Sequence, residues 1–159
     1  LLEMQVFDIA ELAQEVFEDL SFKARNKNVT LEFKEGAATP YKVRADREKI
    51  RQVLTNLVNN SIKYGKPNGR TKVGFYDMEQ HILVEVADNG IGIPSTHINH
   101  VFDRFYRVDK SRSREQGGSG LGLSIVKHII EVHQQTINVR SAEDLGSTFG
   151  FTLEKVRAK

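Results

Sequence analysis

The sequence predicts an α/β (α+β) two-layer sandwich: a mixed, mostly antiparallel sheet with three main helices on one face and the other face more open. Three observations predict it. Apolar residues recur at three- and four-residue spacing in three separate stretches, the pattern of helices that bury one stripe. Between them lie short alternating or continuous apolar runs, which read as strands and arrive mostly in pairs. Gly, Pro and Asp mark the joints. The 159 residues, 39% hydrophobic and 28% charged, suffice for one domain with a buried core.

The first helix is expected from about Asp8 to Arg25, with Ile9, Leu12, Ala13, Val16, Phe17 and Leu20 on its buried face and Asp8 as N-cap. Val29, Leu31 and Phe33 alternate with polar neighbours over residues 29–34, as in a half-buried strand. A turn from Gly36 to Pro40 leads to a short strand at Tyr41 to Ala45. Asp46 then caps a second helix over about 47–64, with Ile50, Val53, Leu54, Leu57, Val58 and Ile62 as its core stripe. Gly65 and Pro67 end it. Two strands follow, Thr71 to Tyr76 and His81 to Asp88, and then residues 89–120, rich in glycine and charge, with little periodicity. A third helix over about 120–133 carries Leu121, Ile125, Ile129 and Val132 on one side. Strands near 136–141 and 147–154, around Gly146, close the chain.

Bulk properties exclude several classes of function. A net charge of +2 gives no reason to expect nucleic acid or an acidic membrane as partner. Without cysteine there is no disulfide framework, thiolate zinc site or thiol nucleophile. The longest apolar runs, such as Ile82-Leu83-Val84, are far too short to span a bilayer, and no signal-peptide pattern opens the sequence, so a cytosolic setting is the expectation.

Asn56, Asn60 and Lys63 stand at i, i+4 and i+7 on the second helix, on a face other than the core stripe. Asn is a poor helix former, so Asn56, Asn59 and Asn60 in mid-helix require an explanation. A solvated face is the commoner one. The functional alternative is a row of neutral oxygen ligands for Mg²⁺, which takes few protein oxygens and completes its shell with water and phosphate. Two glycine clusters point the same way. Asp88-Asn89-Gly90-Ile91-Gly92-Ile93-Pro94 follows an apolar strand, and Gly117-Gly118-Ser119-Gly120-Leu121-Gly122-Leu123 opens the third helix, where backbone N–H groups can meet an anion. Each alone is explained equally well by turn geometry. Neither is a P-loop or a dinucleotide fingerprint, and the kinase catalytic-loop signature is missing.

Read in order, the segments resemble the boxes of the histidine-kinase branch of the gyrase, heat-shock chaperone, histidine kinase and MutL ATPase superfamily. Residues 56–64, Asn-Leu-Val-Asn-Asn-Ser-Ile-Lys-Tyr, resemble its N box, and residues 88–93 its first glycine box. Residues 101–109, Val-Phe-Asp-Arg-Phe-Tyr-Arg-Val-Asp, resemble the F box. Residues 118–123 resemble the second glycine box, and residues 146–149 the glycine turn near the end. The resemblance covers nearly the whole chain and implies a Bergerat-type ATP-binding fold over residues 8–155, with 1–7 as the end of a connection from a dimerisation domain.

The implied cofactors are ATP and Mg²⁺. By the same resemblance, Asn60 with Asn56 would hold the metal, Lys63 would contact phosphate and Tyr64 would lie near base or ribose. Asp88 would accept a hydrogen bond from the adenine amino group, a choice that disfavours guanine because its carbonyl would face another acceptor. Gly90, Gly92, Ile93 and Thr148 would line the nucleotide, and Gly118, Ser119, Gly120, Leu121 and Gly122 would cradle phosphate. Residues 109–117 lack apolar side chains and read as a mobile ATP lid. Its Lys110, Arg112 and Arg114 are read as solvated, whereas Arg104 and Arg107 of the F box are the better γ-phosphate contacts, only one of them engaged at a time.

Four residues before Asn60, hydrolytic relatives place a Glu that activates water; here the residue is Asn56, and an amide cannot serve as that base. A histidine acceptor needs none, because a neutral imidazole nitrogen attacks through a free lone pair. The expectation is therefore phosphoryl transfer from ATP to a histidine, with ATP hydrolysis or a catalytically silent docking module as rivals. None of the five histidines stands in the family's acceptor pattern. His97 and His100 have the spacing of a metal pair, though two such residues on a short loop are commonly plain surface residues, and His128 and His133 read as structural. The expected partners are a separate dimerisation domain bearing the histidine and a response regulator, in an intact homodimer anchored in a bacterial inner membrane, with this segment alone monomeric. His133-Gln134-Gln135 stands where relatives carry His-Gly-Gly, so the turn after the third helix must use another geometry or carry strain.

Overall fold

Two aspartates start the two long helices. Asp8 accepts a hydrogen bond from Ala10 N–H (2.9 Å) and begins α1 (Ile9–Asn26), while Asp46 accepts one from Lys49 N–H (3.2 Å) and begins α2 (Arg47–Lys63). The computed structural model describes residues 1–37, 40–104, 106 and 122–157. Among the described residues a short 3₁₀ turn stands at Ile98–His100, and a further α-helix, α3, at Gly122–Val132.

Seven strands form one sheet: β1 (Met4–Asp8), β2 (Thr30–Phe33), β3 (Lys42–Asp46), β4 (Arg70–Asp77), β5 (His81–Asp88), β6 (Ile137–Ala142) and β7 (Gly146–Lys155). Their order is β1-β3-β7-β5-β4-β2, with β6 also beside β7. Among the described residues only β2 and β4 pair in parallel. β7 runs against β5 from His81↔Glu154 to Asp88↔Ser147, and shares its other edge between β6 and the end of β3. This register sends Val84, Val86, Phe149 and Phe151 to one face, where they pack with Leu12, Val16, Leu54 and Val126 of the helices. Burial of each such side chain contributes about 1.5–3 kcal/mol. The expected two-layer sandwich with a mixed, mostly antiparallel sheet is the fold observed.

Two expectations need correction. Residues 4–7, within the expected connecting segment 1–7, form together with the N-cap Asp8 the edge strand β1, antiparallel to β3 from Met4↔Asp46 to Asp8↔Lys42. Only Phe7 of that strand is buried, so its sequence carries no alternation to betray it. On α3 the buried residues are Val126, Ile129 and Ile130, whereas Val132 is exposed. Of the expected stripe, Ile129 is buried and Ile125 packs against the core, but apolar side chains surround most of this helix, so periodicity alone also admits the exposed Val132 and misses Val126 and Ile130.

The turn after α3 keeps left-handed geometry without glycine. Gln134 sits at φ 59°, with Gln134 N–H bonded to Glu131 O (2.9 Å) and Gln135 N–H to Ile130 O (3.1 Å), the pairing of a Schellman motif. The expected strain is thus localised at one residue.

Candidate functional site

The polar face of α2 divides its three asparagines between two tasks. Asn59 turns toward α1, where its Oδ1 accepts a hydrogen bond from Lys23 Nζ (3.2 Å). Asn56 turns toward α3, its Nδ2 donating to Gly122 O in a long bond of 3.5 Å. Asn60 is half-buried, and its side chain makes no hydrogen bond among the described residues. Among the described residues the donor of Asn56 is engaged and its carbonyl oxygen is not, so two neutral oxygens of α2 remain for a hard cation. Lys63 closes the row with its Nζ 5.6 Å from the centroid of Tyr64.

Asp88 ends β5 between Thr71 of β4 and Ser147 of β7. Its Oδ1 accepts hydrogen bonds from Gly90 N–H (2.9 Å) and Ser147 N–H (3.2 Å). No hydrogen bond reaches Oδ2 among the described residues. Burial raises the pKa of the Asp88 carboxyl from its ordinary value, and the two N–H donors offset part of that rise. A half-buried carboxylate with one oxygen accepting two hydrogen bonds and the other without a partner among the described residues is arranged to receive a donor from a ligand.

Comparison with known proteins identifies the family and the fold. The profile of the histidine kinase-, DNA gyrase B- and HSP90-like ATPases matches residues 45–157. The chain belongs to this family. It is 43% identical over 113 residues to the sensor histidine kinase WalK of Bacillus subtilis, a match covering 70% of this chain but only 18% of that protein. Its fold matches the catalytic domain of the histidine kinase ThkA with TM-score 0.83 at 33% identity, covering 98% of this chain and 100% of that one. A structure of ThkA in complex with the response regulator protein TrrA matches with TM-score 0.80 at 32% identity, covering 98% of this chain and 42% of that one. The fold is that of histidine-kinase catalytic domains.

Within this ATPase domain the first glycine box is a junction between three elements. Ile91 N–H bonds to Tyr64 O at the end of α2 (3.2 Å), Ile93 N–H to Ser141 Oγ of β6 (2.7 Å), and Asp144 N–H to Ile91 O (2.8 Å). Gly90 lies so close to α2 that a Cβ there would stand 2.4 Å from Tyr64 O, and a Cβ on Gly92 would meet Ala142 O at 2.1 Å. Both glycines, expected as nucleotide contacts, are therefore required by backbone packing.

Gly146 makes the tightest of these approaches. Its φ is 124°, and an added Cβ would stand 2.0 Å from Asp88 O. The Gly146→Ala variant is expected to lose about 3 kcal/mol of stability, because it adds backbone strain to a clash that neither strand can relieve. Chemical denaturation checks this, and a shift under 1 kcal/mol would contradict the packing account.

Register also redirects one expected contact. Thr148 lies opposite Ala87, on the sheet face away from Asp88; Ser147 shares the Asp88 face and donates to it. The Ser147 and Ser141 hydroxyls pair at 2.8 Å, and Ser141 Oγ donates to Gly146 O (2.9 Å), fixing the hairpin behind Asp88. Neither serine is singled out by sequence, since each gains its meaning only from pairing.

In the F box, Val101 is buried and the Phe102 ring stands edge-on to Phe149 at 6.0 Å, which anchors the segment bearing the exposed Arg104. His97 Nδ1 contacts Tyr106 OH and His100 Nδ1 lies 3.0 Å from Asp103 Oδ2. No group of three or more potential metal-ligating side chains occurs among the described residues. Arg107, Gly118, Ser119, Gly120, Leu121 and the expected lid at 109–117 lie outside the described residues.

Proposed function

We propose that this domain transfers the γ-phosphoryl group of ATP to a histidine on a separate dimerisation domain, which β1 would follow in the longer protein. The observation that carries this reading is the pairing of a half-satisfied Asp88 with an N box that offers amides and no carboxylate. Asp88 Oδ2 would accept the adenine amino donor. Lys63, Arg104 and Arg107 would face the phosphates, as would the N-terminus of α3. Asn60 with Asn56 would hold Mg²⁺, whose charge neutralises the phosphate oxygens. Thr148 takes no part, and Ser147 keeps the Asp88 carboxylate in place.

Transfer then needs alignment and charge stabilisation more than proton removal. The acceptor's neutral imidazole nitrogen attacks the γ-phosphorus with its lone pair, the bond from that phosphorus to the β–γ bridging oxygen breaks, and ADP leaves. Asn56 has no basic oxygen with which to activate water, and its amide donor is already committed to Gly122 O.

We place this domain in the cytoplasmic part of a membrane-anchored homodimer whose phosphohistidine passes its group to a response regulator. ThkA, solved in complex with the response regulator protein TrrA, supports that partner class. The test mixes the domain with a histidine-bearing dimerisation domain, Mg²⁺ and γ-labelled ATP. Acid-labile, base-stable label on the added domain is the expected result. Free phosphate without labelled histidine would identify a hydrolase, and neither product a docking module.

A further inference from the structure

Helices α2 and α3 run side by side, and hydrogen bonds join them at both ends of their contact. At one end lies Asn56 with Gly122 O, where α3 begins. At the other, Asp46 N–H donates to His133 Nε2 at 3.0 Å, just before α2 and just after α3. The spans match: ten residues from 46 to 56 rise about 15 Å and eleven from 122 to 133 about 16.5 Å. Both nitrogens of the His133 ring are used. Nδ1 lies 2.8 Å from Ile129 O in the last turn of its own helix, which makes it the donor there and leaves Nε2 as an acceptor. Asp46 itself is 6% exposed, and its carboxylate accepts from Lys49 N–H and Glu3 N–H while its own N–H donates to His133.

We propose that His133 is a positioning residue for the phosphate end of the nucleotide site. It fixes where α3 sits along α2, and so sets the distance between the first turn of α3 and the Asn56–Asn60 row. This rests on the reading above, in which that turn and that row share the triphosphate. Asp88 reaches adenine from the sheet and shares no hydrogen bond with His133 or Asp46. Loss of the His133 anchor should therefore be felt by phosphates and not by the base.

The experiment compares ATP with Mg²⁺ against adenosine by NMR or calorimetric titration on the wild-type chain, His133→Ala and His133→Gln. Gln carries an acceptor oxygen at the reach of Nε2, so it restores the bond to Asp46 N–H if that bond is what matters. Expected is a loss of ATP affinity on the order of tenfold in His133→Ala, unchanged adenosine affinity, and recovery of ATP affinity in His133→Gln. Unchanged ATP affinity, a parallel loss of adenosine, or failure of Gln to restore would each overturn the proposal. If His133→Ala does not fold, His133→Gln decides alone, since ATP affinity well below wild type with adenosine intact would show that the acceptor is insufficient. Failure of wild-type adenosine to bind would instead overturn the Asp88 reading, and this inference with it.

Discussion

Asp88→Asn is expected to lower ATP affinity on the order of 10³-fold while the domain stays folded. The two N–H groups of Gly90 and Ser147 both aim at Oδ1, so they select the amide oxygen of an asparagine for that position. The amide nitrogen must then occupy the place of Oδ2. A donor would then replace the acceptor proposed for the adenine amino group, and two donors would face each other. Guanine offers a carbonyl at the same place, so the preference for ATP over GTP should shrink in the variant. Calorimetric titration with both nucleotides checks this; wild-type ATP affinity in the variant would remove Asp88 from the base-binding role.

The same substitution should leave thermal stability equal or higher. Burial raises the carboxyl pKa of Asp88 in the folded domain, so the ionised form costs stability at neutral pH. The sign follows directly: this group favours folding below its unfolded pKa of about 3.9, and the benefit is lost as pH rises through the higher folded value. A permanently neutral Asn removes that penalty at pH 7. In the wild type, ATP affinity should decline as pH falls through the raised pKa, because a protonated Oδ2 becomes a donor. Nucleotide affinity that is flat across that window would count against the mechanism.

The features legible in the sequence are those whose chemistry is local. Asp8 and Asp46 announce helix starts because a cap needs only its own next few residues. Asp88 stands out because it ends an apolar run and opens a glycine turn. β1 stayed hidden because it borrows its hydrogen bonds from β3 and buries only Phe7. Ser147 and Thr148 are adjacent and chemically alike, so only the register against β5 tells which one faces Asp88. Asn56, Asn59 and Asn60 look equivalent along the helix, yet Lys23 claims Asn59 from a residue 36 positions away. His133 acquires its role from Asp46, 87 positions earlier. In each case the missing information is which strand or helix lies alongside, and that is decided by burial of the whole core rather than by neighbours in sequence.

Asn60→Ala separates the metal from the fold more cleanly than any other change on α2. Alanine is the better helix former, by a few tenths of a kcal/mol, and the Asn60 side chain holds no hydrogen bond among the described residues. Stability should therefore hold or rise slightly. Nucleotide binding should lose its dependence on Mg²⁺: added Mg²⁺ tightens ATP binding in the wild type and leaves the variant unchanged. Phosphoryl transfer to an added dimerisation domain should fall on the order of 10³-fold, because the phosphate charge is no longer neutralised as the bridging bond breaks. Asn56→Ala should cost less for the metal but more for the fold, since Asn56 also holds the start of α3 through Gly122 O. The binding titration is the decisive measurement, because it needs no acceptor domain. A Mg²⁺ dependence in Asn60→Ala equal to that of the wild type would place the ion on other ligands, whatever happened to transfer.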